Sequence, residues 1–150
     1  MLTKIVRNFG LFDVCFYVET VSGMTAKELQ MLRWVIAETF EPEKTYSRPA
    51  YKEGAIVEVG PLPKMETPDG TNALSICHKM GLGGVTRVEQ SRIFPRSADP
   101  EVDALTQMVY PCGGLTTFET GKVPDEVETI DVLGRGEAAV REVSDKWGLN

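Results

Sequence analysis

Gly60–Arg92 reads GPLPKMETPDGTNALSICHKMGLGGVTRVEQSR, and this run decides the fold. It begins where a short β-branched run, Ala55–Val59 (AIVEV), has just supplied a strand. Gly60–Gly70 is dense in proline, glycine and short polar residues and reads as a loop. Thr71–Met80 reads as a short helix buried through Ala73, Leu74, Ile76 and Cys77. Asp69 and Thr71 are its candidate caps, because a short side-chain oxygen there accepts a free first-turn N–H. Gly81 and the Gly83–Gly84 pair supply the stop, since glycine adopts the left-handed conformation at helix ends. Val85–Phe94 alternates imperfectly and reads as a strand closed by Pro95. Strand, helix, strand is thus the unit from which the rest extends.

Toward the N-terminus, Asp13–Thr20 (DVCFYVET) is a second β-branched and aromatic run between Gly10 and Gly23. Thr25 and Glu28 have capping-box spacing and open a helix. Its apolar stripe runs Leu29, Leu32, Trp34, Val35, Ile36 and Phe40 until Pro42 ends it. Glu41–Glu53 reads as a loop with a short edge strand near Tyr46. Toward the C-terminus, Asp99 as cap, Pro100 at the first helical position and nearby acids predict a helix to Tyr110. Leu115–Thr120 reads as a further strand. After it comes a polar linker, then an amphipathic helix through Ala138, Val140, Val143 and Trp147. We therefore divide the chain into a scaffold at 1–121 and a linker with helix at 122–150. The fold class expected is α/β of the α+β kind, a mostly antiparallel sheet with helices on one face. A ferredoxin-like arrangement requires the strand near Tyr46.

The 150 residues are 42% hydrophobic and 25% charged, which fits one ordinary folded domain rather than a disordered chain. Sixteen basic residues against 22 acidic give a formal charge of −6, which disfavours nucleic acid or an anionic membrane as partner. The apolar runs are too short to span a bilayer, so the expected location is cytoplasmic. The three cysteines lack CxxC spacing, so reduced thiols are expected rather than a disulfide framework or a metal site.

Cys77–His78 invites a nucleophile–base reading, but helix neighbours diverge by about 100° and do not face each other. A buried structural cysteine is the better reading. The glycine pairs lack a phosphate-loop context. Arg87, Glu89 and Ser91 share one strand face and read as a solvated face or an interface rim. The segment Thr67–Asn72 places short polar side chains at a helix start and is the best local candidate for contact with a ligand or another domain. No set of residues in the chain suffices for catalysis, and no catalytic or metal site is assigned.

Val57–Arg92 resembles the N-terminal region of the large, single-chain phosphoribosylformylglycinamidine synthases. In that family a strand ending in Gly-Pro precedes a Thr/Ser-Pro-x-Ser/Gly-Thr/Ser-Asn-Ala pattern, a short helix with Ile-Cys, a Gly-Leu and an Arg-x-Glu strand. Here these are Gly60-Pro61, Thr67-Pro68-Asp69-Gly70-Thr71-Asn72-Ala73, Ile76-Cys77, Gly81-Leu82 and Arg87-Val88-Glu89. The family usually carries Trp-Ser where this chain has Asp69-Gly70. The run IDVLGRGEAAVREVSDKWGL also resembles the segment that closes the family's N-terminal region.

The resemblance implies a scaffold similar to fused copies of the small structural subunit of the multi-subunit enzyme. Its implied role is to dock between synthase and glutaminase domains, or separately encoded subunits, and to help ammonia pass between them. ATP and magnesium are implied for the whole enzyme, a glutamine-dependent ligase of purine biosynthesis, and no cofactor for this chain. Thr67, Asp69, Gly70, Thr71, Asn72, Arg87 and Glu89 become the interdomain or active-site-facing candidates. The competing reading is a free-standing ferredoxin-like module that binds a small molecule or oligomerises.

Overall fold

The computed structural model describes residues 1–37, 41–121 and 128–148. The chain divides into two compact units, Met1–Thr120 and Gly121–Asn150.

The first unit is built on a six-stranded, wholly antiparallel sheet. Strand β1 (Leu2–Asn8) and β2 (Asp13–Thr20) form a hairpin with Asn8 opposite Asp13, tied by a bond from Asn8 Nδ2 to Asp13 Oδ1. After β2 comes α1 (Ala26–Ile36), then β3 (Thr45–Ser47) on the outer edge of β1. Strand β4 (Ile56–Pro61) leads through α2 (Pro68–Lys79) to β5 (Val85–Pro95), which pairs with both β2 and β4. Strand β6 (Gln107–Val109) completes the order β3-β1-β2-β5-β4-β6. This is the expected α+β class, and its layering is consistent with a ferredoxin-like domain.

Alternation along the strands gives the sheet two differently covered faces. On one face Ile5, Val18 and Val88 pack against Leu32 and Ile36 of α1 and Cys77 of α2. On the other, Val6, Cys15, Tyr17 and Ile93 lie under Tyr110, Leu115 and Phe118. That second cover has no regular structure.

Several expectations change. Leu2–Asn8 is also a strand, because pairing with β2 outweighs its interspersed Lys4 and Arg7. The start of α2 lies at Thr67, whose Oγ1 accepts from Gly70 N, so Asp69 and Thr71 are helical rather than capping. Ile76 is 50% exposed and so does not join the core with Cys77. Helix α1 ends at Ile36, with Ala37 as cap; the expected stripe residue Phe40 lies outside the described residues. The Thr25–Glu28 capping box is present as expected.

Asp99–Tyr110 is not a helix. Asp99 sits in the left-handed region at φ 43, after a 3-10 turn at Arg96–Ala98. Asp103 then takes the N–H of Leu105 and the hydroxyl of Thr106 onto its carboxylate, making a local turn that competes with helix. The residues that follow pair with β4 as β6. Leu115–Thr120 is not a strand either. Leu115 and Phe118 point into the second core from an irregular segment.

The second unit holds α3 (Val132–Arg135) and α4 (Glu137–Trp147), joined at Gly136 with φ 59. Asp131 accepts from Gly134 N to cap α3, and Arg141–Glu137 and Lys146–Glu128 are exposed ion pairs. Among the described residues no helix is long and apolar enough to cross a membrane.

Candidate functional site

Five of the seven predicted residues gather where α2 begins. Thr67 donates twice to the Glu89 carboxylate, from its N–H at 3.1 Å and its hydroxyl at 2.8 Å. The same hydroxyl accepts from Gly70 N at 3.0 Å. Arg87 approaches Glu89 at 3.3 Å, donates to Pro63 O at 2.7 Å and also to Met65 O, and lies 4.0 Å from the Phe118 ring. Gly70 completes the group through what it lacks: a Cβ there would stand 2.2 Å from Val88 O. Asp69 accepts from Gln90 Nε2 at 3.2 Å, beside this group. Asn72 is exposed on α2, and Thr71 is exposed with its hydroxyl bonded back to Thr67 O.

The solvated-face reading of the β5 residues is corrected here. Glu89 and Ser91 are each 1% exposed, because the segment leading into α2 and the 110–118 cover close over this side of β5. Glu89 is tolerable there because Thr67 and Arg87 satisfy its carboxylate.

A second buried acid went unremarked in the sequence. Glu58, 1% exposed on β4, accepts from Tyr17 Oη at 2.5 Å, Ser91 Oγ at 2.6 Å and Arg48 Nη2 at 2.5 Å. Arg48 also donates to Cys112 O at 3.0 Å. Burial pushes the Cys15 thiol up to about 12 and raises Tyr17 as well, with the neighbouring Glu58 carboxylate adding to both shifts. Burial raises Cys77 too, which disfavours its thiolate. No local signal marks Glu58, because the alternation Val57-Glu58-Val59 reads as an acid on the solvent face of a half-buried strand.

Beyond the start of α2 the helical face of the sheet opens into a cleft of about 480 Å³. Val14, Val59 and Phe94 form its floor, and Phe9 and Phe12 of the hairpin turn stand at one side. Met65–Asp69 and Thr106–Gln107 form the other walls. Arg92 lines it with its guanidinium 5.7 Å from the Phe12 ring, and Glu66 and Glu101 also line it. Among the described residues no carboxylate pairs with Arg92. Thr67 and Asp69 are therefore cleft-lining residues, whereas Arg87 and Glu89 brace the wall from behind. The cleft is apolar at its floor, and its charged lining residues are Arg92, Glu66, Asp69 and Glu101.

The chain is 34% identical to the probable phosphoribosylformylglycinamidine synthase, chloroplastic/mitochondrial, of Arabidopsis thaliana, over 89% of the chain and 11% of that protein. The chain is homologous to phosphoribosylformylglycinamidine synthases. It is 29% identical to that of Dictyostelium discoideum, over 91% of the chain and 12% of the relative. With the human enzyme it shares 32% identity over 63% of the chain and 8% of the relative. The chain thus spans about a tenth of the length of the curated relatives it matches, consistent with an N-terminal domain of that large enzyme. No protein-family model matches the chain.

Proposed function

We propose that this chain is the N-terminal structural and docking domain of a phosphoribosylformylglycinamidine synthase. The whole enzyme would convert formylglycinamide ribonucleotide to the amidine in purine biosynthesis, using glutamine, ATP and magnesium. This domain would organise the synthase and glutaminase parts and help ammonia pass between them. The observation that carries the reading is similarity along nearly the whole chain to a tenth of the relatives' length. The site adds support in kind: braced, internally satisfied acids beside an open apolar cleft suit an interface better than a reacting centre.

The test is amidine formation from formylglycinamide ribonucleotide, glutamine, ATP and magnesium. The polypeptide or assembly that contains this chain should turn over, and removing residues 1–150 should abolish or severely reduce the rate. The isolated chain should give only background. Full turnover without the segment, or turnover by the segment alone, would overturn the proposal.

A further inference from the structure

The docking reading leaves open which surface docks and what chemistry meets it. The cleft beside α2 combines an apolar floor with Arg92, which pairs with no carboxylate among the described residues. Its surroundings are also unusually apolar for a water-facing edge. Leu11, at the hairpin tip between Phe9 and Phe12, is 88% exposed, and Leu105, one residue before the Thr106 wall, is 85% exposed. Clustered exposed apolar side chains around a concavity mark interaction sites, whereas scattered ones do not.

The charges narrow the choice of occupant. Arg92 favours a carboxylate, whereas the α2 N-terminus on the same cleft already faces Glu89 and Asp69. Glu66, Asp69 and Glu101 on the same lining oppose a small free anion, which would gain little apolar contact to offset that repulsion. A carboxylate delivered by a segment that also carries an apolar side chain suffers no such deficit. The volume suits a few side chains rather than a folded body. About nine-tenths of the relatives' length lies outside the part this chain matches, so such a segment would come from the same enzyme.

We propose, resting on the docking reading above, that this cleft receives an extended segment from the remainder of the enzyme. The segment sets an apolar side chain over Phe12, Phe94 and Val59 and a carboxylate against Arg92. Leu11 closes over it from the hairpin tip.

Amide hydrogen exchange tests this without relying on turnover. Exchange at residues 9–12 and 65–69 is compared between the isolated chain and the polypeptide, or reconstituted assembly, that contains it. Those amides should slow by about tenfold or more in the larger protein. Arg92→Glu in the larger protein should return them to the isolated-chain rate, as should Leu11→Asp, a second variant in case the first perturbs folding. Both variants should leave the melting temperature of the isolated chain unchanged, since both side chains are exposed. Equal exchange in the two contexts would overturn the proposal, as would protection that survives both variants. Protection of the isolated chain by millimolar inorganic phosphate would also overturn it, by making the cleft an anion site. Loss of turnover with cleft protection intact would instead count against the assigned reaction alone.

Discussion

Replacing Thr67 by alanine separates the observed geometry from the cap positions the sequence offered. The hydroxyl serves two partners at once, accepting from Gly70 N and donating to the buried Glu89 carboxylate. Loss of the cap costs about 0.5–2 kcal/mol. Loss of a hydrogen bond to a buried charged group costs about 1.5–3 kcal/mol, because the carboxylate stays desolvated. The two share one atom and are not additive, so Thr67→Ala should lower unfolding stability by about 2–4 kcal/mol. Thr67→Ser keeps the hydroxyl and should cost less than about 1 kcal/mol. Thr71→Ala removes only an exposed bond back to Thr67 O and should stay within about 0.5 kcal/mol. Urea unfolding of the chain and its three variants reads these differences directly. A loss for Thr71→Ala equal to that for Thr67→Ala would refute the assignment of the cap and of the Glu89 contact.

Gly70→Ala places a methyl group 2.2 Å from Val88 O and must displace α2 from β5, so urea unfolding should show a loss of about 1–3 kcal/mol. Glu58→Gln leaves Arg48 buried without its charge partner and should cost about 3–5 kcal/mol, with the near-ultraviolet tyrosine signal changing as the Tyr17 hydrogen bond passes from a carboxylate to a neutral amide. Cys15 titrates higher in the fold than its ordinary 9.0. Its contribution to stability is therefore whole below pH 9.0 and is lost as pH rises from there toward about 12, a loss that Cys15→Ala should remove from an alkaline unfolding series. In native protein a disulfide reagent should label Cys112 first, since Cys15 and Cys77 are buried; early labelling of Cys77 would contradict the packing of α2.

Local patterns found the elements whose sequence agrees with their surroundings. DVCFYVET is a strand over the predicted bounds, and Thr25 with Glu28 forms the predicted box. Where a segment depends on distant partners, the same reasoning failed. DPEVDALTQMVY carries good helix-start residues, yet Asp103 spends its carboxylate on a turn and the segment pairs with β4. The N-terminal strand was hidden because Lys4 and Arg7 break its apolar run. Their uses become visible only with tertiary structure: Lys4 donates to Gly113 O and Arg7 to Ile36 O. At the site, the motif holds Thr67, Asp69, Gly70, Arg87 and Glu89, which the structure brings together at the start of α2. It could not locate Arg92, which reaches the cleft through the register of β5, or Phe9 and Phe12, which reach it from the β1–β2 turn.

The failed strand at Leu115–Thr120 has the most instructive cause. A segment crossing a sheet face cannot join the ladder, so its backbone groups need other partners where water is excluded. Here side chains supply them: Arg48 donates to Cys112 O, Lys4 to Gly113 O, and Tyr17 Oη accepts from Leu115 N at 3.3 Å. Gly114 passes so close that a Cβ would meet Tyr17 Oη at 2.2 Å, at a φ of 70 that also favours glycine. Those same Tyr17 and Arg48 side chains are the ones Glu58 orients from below. A buried ion pair adds little net stability when weighed against an apolar replacement. Its contribution here is positional: it aims two side chains at a backbone that has no ladder of its own. Phe118, at the far end of that segment, then packs on Arg87, which holds the carbonyls of Pro63 and Met65. Covering one face of the sheet thereby fixes the wall of the cleft that opens on the other.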